Sequence, residues 1–165
     1  MKQYIAFMVV MVLFMAGIYI EAQEASPAVK GFKVTILIFS GRPNPTFTVT
    51  DKNMIEKIES FFKKTPKSSV LKGETVSPNI LGYNGILVEN LSDTMPDTDS
   101  FLVYNANVEV KNKKSPDKSM INAILKDNTL GLQKLLIGEG QKQGVIDQTV
   151  IDYIDKINNE GKKVE

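Results

Sequence analysis

Between Tyr4 and Ile20 the chain carries no charged side chain, and the run is apolar on every side rather than along one stripe. A helix without a polar face cannot lie on the surface of a small domain, so this segment stands apart from the fold that follows. Met1-Lys2 places a positive charge before it, and Glu21-Ala22-Gln23 ends it, with Ala22 the residue before a cut. Charge, apolar run and small residue, in that order, are the parts of a secretory signal peptide. The run is slightly long for a signal and slightly short for a membrane span, so an uncleaved anchor is the alternative. Residues 1–22 therefore read as the signal, 23–31 as a flexible lead and 32–165 as one domain. The expected location is secreted or periplasmic, with membrane contact only if the signal segment stays attached.

Removing residues 1–22 takes away one Lys and one Glu, so the formal charge of +1 is kept. A balance so close to neutral gives no basic footprint for nucleic acid. The chain has no cysteine, which excludes a disulfide framework, a thiol nucleophile and a lipid-modified cysteine. It has no histidine either, so Ser-His-Asp and Cys-His constellations and the usual zinc sites are excluded. No cofactor is expected. An exported domain of this kind is held by its core alone, and about 140 residues suffice for one.

Lys33 to Phe39 is β-branched and apolar on both faces, the mark of a central or doubly covered strand. Ser40 to Pro45 breaks it, and Phe47 to Thr50 reads as a second strand. Thr50 or Asp51 caps a helix in which Met54, Ile55, Ile58, Phe61 and Phe62 form one stripe, with Lys63 and Lys64 in its last turn before Pro66. Residues 65–79 read as a polar loop, and Gly85 to Glu89 as a third strand. Phe101 to Lys111 is either one bent strand or a hairpin turning at Asn105-Ala106. Ser115-Pro116 opens a helix with Ile121, Ile124 and Leu125 inward, and Thr129 caps a short helix ending at Gly138. A last helix over 147–158 buries Val150, Ile151, Ile154 and Ile157. The order predicts an α+β fold: a small, mostly antiparallel sheet with helices mainly on one face.

Nineteen of the 20 basic residues are lysine, and the exception, Arg42, sits inside Ser40-Gly-Arg-Pro-Asn-Pro45. Arginine offers a planar fork of donors and a stacking face that lysine cannot imitate. Pro43 and Pro45 stiffen the loop and bias Arg42 and Asn44 toward extended conformations. Arg42 either pins the loop internally, through a carboxylate or against Tyr83, or reaches outward to an anionic group. Leu81-Gly-Tyr-Asn-Gly85 is a second unusual segment, either a plain β-turn or a turn that presents Tyr83 and Asn84. Should the two loops share one sheet edge, Ser40, Arg42, Asn44, Tyr83 and Asn84 form a single binding surface. Asp93, Asp97 and Asp99 lack the spacing of an EF-hand loop and read as a solvated loop, so no metal site is expected. Asn90-Leu-Ser92 fits a glycosylation sequon.

The strand followed by Ser40-Gly-Arg-Pro-Asn-Pro45 and an aromatic, with Leu81-Gly-Tyr83 and Gly85 downstream, resembles a family of uncharacterised exported proteins. Where that family usually has Trp, this chain has Phe47, and where it often has Arg it has Asn84. The resemblance implies export and a shared fold, and no reaction.

Lacking the usual catalytic side chains, the domain is expected to bind a protein or a small anionic ligand through the Arg42 loop rather than to catalyse. Two alternatives need no histidine. One is a hydrolase using carboxylates or a Ser/Lys pair, with Glu89, Asp93, Glu109 and Ser40 near strand ends. The other is an extracellular protease inhibitor presenting Ser40 to Pro45, where Pro43 after Arg42 resists cleavage.

Overall fold

A computed structural model describes residues 30–39, 41, 43–65, 67–68, 82–91, 94–113 and 123–161. Residues 1–22, expected to be a signal, most of 23–31, Ser40, Arg42, Asp93 and Ser115-Pro116 lie outside them. The elements run β1 (Gly31–Ile36), β2 (Thr46–Val49), α1 (Lys52–Lys64), β3 (Lys67–Ser68), β4 (Ile86–Leu91), β5 (Thr98–Tyr104), β6 (Asn107–Asn112), β7 (Ala123–Lys126), α2 (Gly131–Lys142) and α3 (Gln148–Gly161). The strands form one sheet in the order β2-β1-β4-β5-β6-β7-β3, with every neighbouring pair antiparallel. The fold is α+β, as the element order predicts.

Register explains which face is buried, because residues directly opposite one another share a face. Phe47, Val34, Val88, Phe101, Val110 and Ala123 make one row across six strands, and Ile36, Ile86, Val103, Val108 and Leu125 make the next. All of these are buried. The helices lie on this face. Phe62 of α1 meets Phe101 edge to face at 4.7 Å, a geometry worth about 1 kcal/mol beyond its area. Gly140 of α2 lies against the Phe47 ring, where an added methyl would stand 3.0 Å from it. The opposite face begins polar. Lys33 pairs with Glu89 at 2.8 Å, and the hydroxyls of Thr35 and Thr46 are 3.2 Å apart. β1 is thus covered on one face only, although its sequence reads as apolar on both.

Local chemistry sets the element ends. Asp51 caps α1 by accepting from the Met54 N–H at 2.9 Å, and Lys63 and Lys64 fill its last turn. The chain between Phe101 and Lys111 is a hairpin turning at Asn105-Ala106, and Asn105 takes the left-handed φ of 50° that its side chain tolerates. Ile124 and Leu125, expected inside a helix, lie instead on β7 between β6 and β3. Burial of Ala123, Ile124 and Leu125 in succession is what both kinds of element would show, so periodicity could not separate them. α2 runs through Gly138 to Lys142, and its start is held chiefly by Asp127, which accepts from the Leu132 N–H at 2.7 Å.

Candidate ligand cleft at one end of the sheet

β1 ends, β4 begins, β5 turns into β6, and β7 leads into α2 all at the same end of the sheet. The loop after β1 and the turn before β4 are tied together there. Leu37 donates its N–H to the Gly85 carbonyl at 2.9 Å and accepts from the Asn84 N–H at 2.7 Å. The two unusual sequence segments therefore share one sheet end. Within the first, Asn44 turns its side-chain oxygen inward to accept from the N–H groups of Ile38 at 2.9 Å and Phe39 at 2.8 Å. Within the second, the Asn84 amide donates to the Gly82 carbonyl at 2.9 Å.

Gly41, Gly82, Gly85, Asn105 and Leu130 at this end have left-handed φ, as does Gly144 between α2 and α3. The glycines adopt it freely and asparagine tolerates it, whereas Leu130, at 54°, is a residue type that rarely does. Gly85 is required: a Cβ there would stand 2.7 Å from the Val103 carbonyl oxygen. Buried polar atoms without a hydrogen-bond partner occur here too, at the Tyr83 hydroxyl and the Asn105 amide oxygen. Strained backbone and unsatisfied polar groups are both costly, and proteins tend to retain them at functional sites.

Tyr83 differs from its expected role. It is fully buried, with its ring 5.9 Å from that of Tyr104, and so is a core residue rather than a contact residue. The glycine on either side lets the chain bend sharply enough to turn the ring inward. Burial pushes its hydroxyl well above the usual tyrosine range, and Tyr104 and Asp155 add to the rise. Asn44 and Asn84 likewise spend the side-chain bonds described above on their own loops. Ser40 and Arg42 lie outside the described residues.

What this end does offer is a cleft of about 470 Å³ lined by Ile38, Phe39, Asp147, Thr149, Val150 and Tyr153. Its size is that of a small-ligand site. Tyr153 is the one large apolar side chain exposed among the described residues, at 39%. Its hydroxyl packs against Gly82, where a side chain would collide with it. Asp147 caps α3 by accepting from the Val150 N–H at 3.0 Å. Tyr153 is absent from the residues singled out above, because it lies beside the inward stripe of Val150, Ile154 and Ile157, of which Ile154 is buried and the other two partly so, rather than on it. An aromatic next to such a stripe is the one local signal for it.

A second cleft, of about 340 Å³, lies toward the other end between α1 and residues 94–98, lined in part by Phe62, Met95 and Val110. Its Glu59 and Lys63 bridge each other at 3.4 Å. Neither Glu89 nor Glu109 lines either cleft, and Glu89 is paired with Lys33. The described residues contain no cluster of acids able to hold a metal ion, and no helix among them is long and apolar enough to cross a membrane. No family model matches the chain, and no curated protein or solved structure is similar enough to it to lend an activity.

Proposed function

We propose that this chain is an exported, non-catalytic binding domain. Its contact surface is the sheet end where the loop after β1, the turn before β4 and the first turns of α3 meet. The observation that carries this reading is the apolar cleft beside Tyr153, at the sheet end that also holds the left-handed Leu130 and the unpartnered Tyr83 hydroxyl and Asn105 oxygen. Arg42 follows Phe39, a wall of the cleft, by three positions in the chain, and its guanidinium is the side chain we assign to an anionic group of a protein or small ligand. Proline on both sides of Asn44 and the two bonds to its side chain hold the loop in shape, which reduces the ordering cost of binding.

The test is a titration with a small neutral apolar probe, 3,3-dimethylbutan-1-ol, followed by amide chemical shifts. Shifts centred on Ile38, Phe39, Thr149, Val150 and Tyr153 are expected. A folded protein with no response at those residues ends the reading. Arg42→Lys should leave the melting temperature unchanged, whereas a clear loss of stability would assign Arg42 to pinning its own loop.

A further inference from the structure

The chemistry of the cleft narrows what it can hold. Among the described residues, two aromatic side chains, Phe39 and Tyr153, stand with the aliphatic Ile38 and Val150, Thr149 and a single charged group, the Asp147 carboxylate. One carboxylate oxygen of Asp147 accepts from Val150, and no ion pair of Asp147 occurs among the described residues. The second cleft has two acids, Glu59 and Asp97, beside Lys63, which Glu59 meets at 3.4 Å. An anion entering the first cleft would meet a like charge. A helix N-terminus ordinarily favours anions, but here Asp147 already occupies that position. Aromatic faces attract cations, and quaternary or alkyl ammonium groups suit an apolar, aromatic pocket with one carboxylate better than any other charged group.

On these grounds, and resting on the binding reading above, we infer that the cleft between residues 37–39 and α3 is a seat for an organic ammonium group, held by Phe39, Tyr153 and Asp147.

Choline and its neutral isostere 3,3-dimethylbutan-1-ol separate charge from shape. Titrated against the whole mature protein and read by amide shifts at Thr149, Val150 and Tyr153, choline should bind about fivefold tighter than the isostere. Asp147→Asn keeps a good helix cap while removing the charge, and should abolish that preference with little change in melting temperature. Asp147→Ser is a second neutral cap in case the first variant folds poorly. Asp152→Asn, on the same helix but not in the cleft wall, should leave the preference intact. Nα-acetyl-lysine amide, which keeps its ε-ammonium, in place of choline distinguishes a protein lysine from a small quaternary cation as the source.

Equal binding of choline and the isostere overturns the ammonium inference while leaving the cleft a binding site. Failure of both to bind overturns the two readings together. Choline binding that appears only in Arg42→Ala would mean that the chain's own guanidinium fills the seat, and also overturns the inference.

Discussion

The Tyr153 hydroxyl of α3 packs where a side chain at Gly82 would begin, so the turn before β4 sets the position of the aromatic wall of the cleft. Gly82 also has φ +116°, a conformation that L side chains rarely adopt. Gly82→Ala should therefore cost about 1–3 kcal/mol and displace Tyr153, weakening any ligand of the cleft. Adding Tyr153→Phe removes the colliding oxygen. The double variant should recover the steric part of the loss and keep the part due to φ, which denaturant melts of the four proteins would separate. Full additivity of the two changes would show that the residues do not communicate.

Asn44 is the brace of the proline loop. Its side-chain oxygen satisfies two backbone N–H groups, those of Ile38 and Phe39, in a partly buried setting. Asn44→Ala leaves both without that acceptor and should lower stability by about 1–3 kcal/mol. Asn44→Asp keeps the acceptor and should cost much less at neutral pH. Thermal melts by circular dichroism check the order; equal losses in the two variants would mean that the carbonyl is not what holds the loop.

Much of the fold was legible because period and caps agreed. Met54 and Ile58 are buried at helical spacing behind the Asp51 cap, and the alternating inward residues of β1, β4 and β5 make the sheet rows. β7 was misread because Ala123, Ile124 and Leu125 are all buried, and a run buried on both sides carries no period. The site was half legible. Proline, glycine and a lone arginine marked the loop, and the joining of Leu37 to Asn84 and Gly85 continues the pairing of β1 with β4. That Tyr83 points inward could not be read, because Gly82 and Gly85 free the backbone to turn either way. α3 contributes its wall through tertiary packing, which leaves no mark in local sequence.

Asp127 gives the fold a dependence on acid. Burial alone would raise its pKa, but the Leu132 N–H, the Thr129 hydroxyl and the N–H groups of Gly131 and Thr129 together hold it below the usual carboxylate range. A carboxylate with a depressed folded pKa stabilises the fold above its unfolded value, near 4, and that contribution fades as pH falls through the folded value. Stability should thus decline below about pH 4, with α2 losing its anchor. Asp127→Asn should flatten this part of the profile while lowering stability at pH 7 by about 1–2 kcal/mol. Urea melts between acid and neutral pH measure both, and an unchanged acid slope in the variant would assign the decline to other carboxylates.

Tyr83 tests whether the unsatisfied polar group at the sheet end carries a cost. Its hydroxyl is buried without a hydrogen-bond partner, and removing such a group relieves a desolvation penalty at little loss of volume. Tyr83→Phe should therefore raise stability by about 1 kcal/mol, seen as a higher urea midpoint with an unchanged slope. The same residue sets an alkaline limit. A hydroxyl whose folded pKa lies above its unfolded value near 10 contributes stability below that pH and loses it as the solution becomes more basic. The variant should be the less sensitive of the two above about pH 10. A loss of stability in Tyr83→Phe at pH 7 would mean that the hydroxyl is satisfied in solution, and would remove one of the observations that single out this end of the sheet.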